Sequence, residues 1–148
     1  MHRLIIFSLS ALIVASPAQS KAMKWMDGPT AGMPAGSKFA VVSGDPAKEG
    51  SNFVIRAKLP ANFVVPPHHH PGDEMVRVLS GGPLAYGMGD KVNQASAGSL
   101  TKGYHITMQA GMNHWASNSA ATEIEVSGKG PFGIAYVDPK DDPRNAAK

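Results

Sequence analysis

Apolar side chains return at every second position through most of this chain, and that rhythm leaves few folds open. Phe53, Ile55, Ala57 and Leu59 alternate with Val54, Arg56 and Lys58. Leu84, Tyr86 and Met88 alternate with small residues, and Tyr104, Ile106 and Met108 with His105 and Thr107. Thr122, Ile124 and Val126 alternate with Glu123 and Glu125, and Phe132, Ile134 and Tyr136 with Gly133 and Ala135. Val76 and Val78 do the same over a shorter run. Period two places one set of side chains on each face of an extended strand. No segment past residue 22 holds an apolar period of 3.6 long enough to make a helix. Turn-forming clusters separate the runs: Ser43–Pro46, Pro66-Pro67, Pro71–Asp73, Ser80–Pro83, Gly87–Asp90, Ala110-Gly111 and Gly128–Pro131. Short strands with one apolar face each, spaced by turns, predict an all-β antiparallel sandwich or barrel.

Composition narrows the chemistry. Glycine (16) and proline (12) are abundant but have no period, which suits turns and excludes collagen. Hydrophobic residues at 43% and charged residues at 17% exclude both a disordered polyelectrolyte and a membrane-embedded chain. There is no cysteine, so disulfides, thiolate metal sites and cysteine nucleophiles are ruled out. Any metal must be held by His, Asp or Glu. The net charge of +3 is spread over single Lys and Arg residues with no basic stripe, so no nucleic-acid partner is expected.

The N-terminus has the layout of a secretory leader. Met1-His2-Arg3 is basic, Leu4 to Val14 is almost wholly apolar, and small or turn-forming residues follow to Ser20. As a helix the apolar run would rise about 16 Å, short of the roughly 30 Å a membrane anchor must span. Residues 1–20 therefore read as a signal peptide cut after Ala18 or Ser20, with no stable membrane anchor and an exported, periplasmic or secreted product. Residues 21–148 read as a single domain. The stretch 21–37 and the polar tail from Asp138 are expected to lie on its surface or to wander.

Four residues then form a donor set. His68 and His70 are two apart, so on a strand they share a face, while His69 points away. Glu74 follows after Pro71-Gly72-Asp73, and His114 stands far along the chain beside Trp115. Three imidazoles and one carboxylate suit a single divalent transition metal with positions open to water or substrate. Asp73 is the alternative carboxylate, but strand parity favours Glu74.

The pattern resembles the cupin superfamily. His68-x-His70, three residues, Glu74, six residues, Gly81 is similar to its first motif. Gly103, five residues, Gln109, one residue, Gly111, two residues, His114, three residues, Asn118 is similar to its second. The sequence departs from the family at Gln109, where proline is usual, and at Asn62, where the first motif opens with glycine. The resemblance covers about residues 38–137. It implies a cupin-like jelly-roll barrel, a double-stranded β-helix, with metal held inside by His68, His70, Glu74 and His114. It also implies that Gly81 closes the hairpin after the Glu74 strand and that Gly103 and Gly111 bracket the strand delivering His114.

What such a site does is implied only broadly. The resemblance suggests a metal (Zn, Fe, Mn, Ni or Cu) that binds a small polar organic ligand, with oxygenase, isomerase or lyase chemistry all represented. The alternative is a non-catalytic module that senses or sequesters a metal or small ligand. No catalytic residue is assigned, and Tyr86, Tyr104 and His105 qualify as bases only if they face the cavity. Tyr136, Phe132 and Trp115 read as core or pocket wall, and Glu123 and Glu125 as a solvated strand face. A homodimer through an edge strand near residues 39–42 is the one protein partner considered.

Overall fold

A computed structural model describes residues 22–145, so the expected leader lies outside the described residues. Eleven strands follow in order: β1 (Met26–Asp27), β2 (Lys38–Gly44), β3 (Asn52–Leu59), β4 (Phe63–His69), β5 (Glu74–Ser80), β6 (Leu84–Met88), β7 (Gly98–Leu100), β8 (His105–Met108), β9 (His114–Asn118), β10 (Thr122–Lys129) and β11 (Ala135–Tyr136). They form two antiparallel sheets, ordered β1-β2-β3-β10-β5-β8 and β11-β4-β9-β6-β7. Among the described residues there is no α-helix, only three short 3-10 turns. None of these elements is long and apolar enough to be a helix crossing a membrane.

The sheets face each other through the apolar sets that the alternation picks out. Phe53, Ala57 and Leu59 of β3, Val76 and Val78 of β5, and Ile124 and Val126 of β10 are buried on one side. Phe63 and Val65 of β4, Leu84 of β6 and Leu100 of β7 close on them from the other. Val78 is 0% exposed and marks the centre. Because β10 pairs with both β3 and β5, its inward residues form layers with theirs: Val126 with Ile55 and Val76, then Ile124 with Ala57 and Val78.

Several expectations are corrected. Pro66-Pro67 is not a turn between strands but lies inside β4, where the pairing with β9 slips between Val65 and His68. Neither proline has an N–H to give the ladder, so proline in a strand settles at an irregularity of this kind. The slip changes parity. Phe63 and Val65 face inward on odd numbers, but His68 and His70 face inward on even ones.

Ser80–Pro83 is not a hairpin, since β5 and β6 belong to different sheets and the segment crosses between them. Gly81 has φ +71°, and a Cβ there would collide with the Ala121 carbonyl, so glycine is required. Gly103 and Gly111 bracket β8 rather than the strand that carries His114. That residue opens β9, after Gly111.

The stretch 132–136 contributes a strand only at Ala135–Tyr136. β2 is flanked at its start by β1, so it is a free edge only further along. Among the described residues the flanking segments lie largely at the surface, as expected, and are tied to the barrel. Tyr136 Oη donates to the Gly32 carbonyl at 2.8 Å, and the Arg144 guanidinium donates to the Ile134 carbonyl at 2.8 Å.

Candidate metal centre

His68 enters at the end of β4 and His114 at the start of β9, directly opposite in register. His70 follows just past β4, and Glu74 opens β5 on the facing sheet. All four residues are buried, each 7% exposed or less. One ring nitrogen of each of His68, His70 and His114 lies within 4.8 Å of the others, a spacing at which three imidazoles can hold a metal ion. Glu74 Oε2 stands 3.2 Å from His114 Nε2 and 3.5 Å from His70 Nε2. The structure thus brings together all four residues singled out in the sequence.

The backbone fixes which way each ring presents its lone pair. His68 Nδ1 is 2.6 Å from the Pro66 carbonyl, His70 Nδ1 is 2.6 Å from the Gly133 carbonyl and His114 Nδ1 is 2.8 Å from the Met112 carbonyl. A carbonyl only accepts, so in every case Nδ1–H donates and the neutral ring keeps its lone pair on Nε2. Two of the three contacts join a histidine to the carbonyl two residues before it, a local geometry that strand ends supply. Such outward anchoring orients metal-ligating imidazoles and raises their basicity. His70 is also stacked on Phe132, with centroids 4.4 Å apart and an 18° interplanar angle, and Phe132 leans on Phe53 at 4.8 Å.

The inward nitrogens are left unsatisfied. His70 Nε2 and His114 Nε2 are buried without a hydrogen bond of good geometry. Both face the Glu74 carboxylate oxygen, an arrangement that repels while the rings are neutral and is relieved by a proton or a metal cation. Burial, together with the neighbouring His114 and His70, pushes His68 down to about 3. Burial also lowers His70, against the pull of Glu74. Burial would lower His114 too, but the Glu74 carboxylate and the Met112 carbonyl outweigh it and raise it. Glu74 is lowered: burial opposes this, while the histidines around it, His114 first, favour its anion. Burial thus disfavours a proton on His68 and His70, while the Glu74 carboxylate favours a cation at His114.

Beside the donors lies a cavity of about 190 Å³. Its wall is apolar, with Ile55, Val76, Ile106, Val126 and Ala116 one strand layer in from the histidines. Of the three residues considered as bases, Tyr86 lines it. Tyr104 is 69% exposed and His105 is exposed, so both are off the site. Asp73 is exposed as well; its carboxylate accepts from the Ala110 N–H at 2.9 Å and braces a loop instead. His69 turns away, with Nδ1 3.0 Å from Asn113 Oδ1. Glu123 and Glu125 are not fully solvated: they are half-buried, each 3.8 Å from Arg56. Sequence reasoning missed the carbonyls of Pro66, Met112 and Gly133, since a backbone acceptor has no signature of its own. It also missed the stacking role of Phe132, which it read as a wall.

No family model matches this sequence, and no curated protein does either. Solved structures do match. The polyketide cyclase RemF from Streptomyces resistomycificus aligns over 90% of this chain and 93% of its own, with a TM-score of 0.64 at 15% identity. A candidate acetylacetone dioxygenase from Methylibium petroleiphilum aligns over 92% and 90%, with a TM-score of 0.61 at 19% identity. The DMSP lyase DddQ from Ruegeria pomeroyi matches 80% of this chain but only 62% of its own length, with a TM-score of 0.63 at 16% identity. Together with the two sheets and the histidine group, these likenesses define a cupin-fold protein with a jelly-roll barrel.

Proposed function

We propose that the protein is a mononuclear metalloprotein that binds a small organic molecule at an ion held by His68, His70, Glu74 and His114. The observation that carries this reading is the pair of buried, unpartnered imidazole nitrogens facing one carboxylate oxygen. That cluster is costly empty and satisfied by a divalent ion. Nitrogen and oxygen donors without sulfur accept Zn, Fe, Mn, Ni or Cu. When bound, such an ion supplies Lewis acidity, an activated water or, if redox-active, access to O₂. The chain's own part is to fix three lone pairs through backbone carbonyls and to keep water out with the apolar wall. The neighbours' names span a cyclase, a dioxygenase and a lyase. At these identities they support a fold rather than a reaction. Metal analysis tests the reading: about one divalent ion per chain is expected, and none in the His68→Ala/His114→Ala double variant.

A second reading, a non-catalytic binding module, is favoured by the scarcity of acid–base groups. Apart from the proposed ligands, Tyr86 is the one candidate proton donor on the cavity wall. A bound ligand recovered unchanged after prolonged incubation in air and under nitrogen would select this reading over the enzymatic one. Export is part of the proposal and rests on the first twenty residues. N-terminal sequencing of the mature protein should begin at Gln19 or Lys21. A homodimer, proposed from the free part of β2 where Val41 and Val42 are exposed, is tested by sedimentation.

A further inference from the structure

We infer that the ligand carries at most one negative charge, at the group that meets the metal, attached to an uncharged apolar body of about six heavy atoms. The inference deepens the metal-binding reading and rests on it. Beyond the four proposed ligands, no lysine, arginine, aspartate, asparagine, glutamine, serine or threonine lines the cavity among the described residues; the other lining residues with a polar side-chain atom are Tyr86 and Trp115, and the Trp115 indole nitrogen packs against Gly87. The apolar layer of Ile55, Val76, Ile106, Val126 and Ala116 lies inward of the histidines, so a molecule held at the ion directs its body into that layer. At about 190 Å³, the space slightly exceeds that of an apolar cavity of about 150 Å³ known to take benzene.

Charge sets the head group. A divalent ion with one carboxylate and three neutral imidazoles leaves one net positive charge. A singly deprotonated chelator cancels it, whereas a dianion leaves an uncompensated charge in an apolar chamber. A sugar-like body would bury several hydroxyls with nothing to receive them, and each weakens binding by about tenfold. The expectation of a polar ligand is thereby narrowed: polar at the metal, apolar elsewhere.

Hydroxamates that share one chelating head and differ in body test this. The protein is loaded with cobalt(II), and its visible absorption is followed during titration. Benzohydroxamate is expected to bind about tenfold or more tighter than acetohydroxamate, gluconohydroxamate and the monohydroxamate of succinate. An Ala116→Leu substitution, which fills the layer beneath His114, should remove that advantage. Absence of a cobalt spectrum would sink the metal reading and this inference with it. A cobalt spectrum with equal or tighter binding of the sugar or succinate derivative would overturn the inference alone. So would an Ala116→Leu variant that binds cobalt and keeps the wild-type preference. If that variant does not fold, the ligand series on the wild-type protein decides.

Discussion

Both ends of the barrel bury polar side chains, yet they do so in opposite ways. At the end away from the histidines, Asn118 Nδ2 donates to the Pro60 carbonyl at 2.8 Å and to the Ala120 carbonyl at 2.5 Å. Thr122 Oγ1 donates to the Ala120 carbonyl at 2.8 Å and accepts from the Gly82 N–H at 3.1 Å. These bonds tie β9, β10 and the crossings before β4 and β6 into one seam. At the other end, the backbone takes only the outer nitrogen of each imidazole, and the inner ones of His70 and His114 face a carboxylate without a hydrogen bond. One end uses buried polarity to hold the chain; the other leaves two buried imidazole nitrogens without a hydrogen bond.

The contrast is easiest to break with single substitutions. His114→Ala should lower metal affinity by more than about 100-fold, beyond what loss of an outer partner costs. Asn118→Ala should leave that affinity within about threefold, both read by calorimetric titration. In metal-free protein the order reverses. Asn118→Ala takes a donor from the Pro60 and Ala120 carbonyls, the second of which keeps Thr122 Oγ1, and also removes the unpartnered Asn118 Oδ1; it should cost about 1–2 kcal/mol. His70→Leu should cost under about 1 kcal/mol: it frees the carbonyl of Gly133, an exposed residue open to water, and removes an unsatisfied buried nitrogen. Urea denaturation in chelator decides, and equal losses at the two ends would erase the distinction.

Acid should weaken the histidine end first. His68 in the folded chain is held near 3, below the ordinary 6.5, so below pH 6.5 the unfolded chain binds a proton the folded one refuses. Stability of the metal-free protein is therefore full above about pH 6.5 and falls toward pH 3, on the order of 1 kcal/mol per pH unit from this ring alone. His70, also lowered, adds to the slope. His114 is raised and acts oppositely: its contribution is complete below 6.5 and is lost as pH climbs through its folded value. Denaturation midpoints at pH 7, 6 and 5 check the sign; a midpoint that rises on acidification would refute it. A small effect is also expected at Asn62, whose φ of +58° lies in the left-handed region. Asn62→Ala should cost about 1 kcal/mol and Asn62→Gly almost nothing, because asparagine and glycine tolerate that conformation.

Much of this was legible in the sequence. Alternation at Phe53–Leu59 and Thr122–Val126 marks two central strands, because each sheet has one dry face. The spacing of His68, His70, Glu74 and His114 predicts their convergence once the family resemblance supplies the topology. What was not legible depends on the backbone. Two adjacent prolines read as a turn by composition, and only the pairing of β4 with β9 shows them absorbed into a strand. The lone-pair directions follow from carbonyls whose positions no side chain announces. The dryness of the chamber needed the layers assembled, since Ile55, Ile106 and Ala116 come from three strands far apart in the chain. Asn62 is the reverse case: the expected glycine is missing, yet the left-handed backbone it would serve is present.

The slip at Pro66-Pro67 separates two frames of reading along one strand. Upstream, odd positions build the hydrophobic wall; downstream, even positions carry the imidazoles. Were the present strand to run through this point in regular alternation, without the extra residue taken up at the prolines, His68 and His70 would swing to the outside and His69 would come inward in their place. The chelating cluster is thus indexed by a one-residue offset, so the wall can drift in sequence without turning the imidazoles.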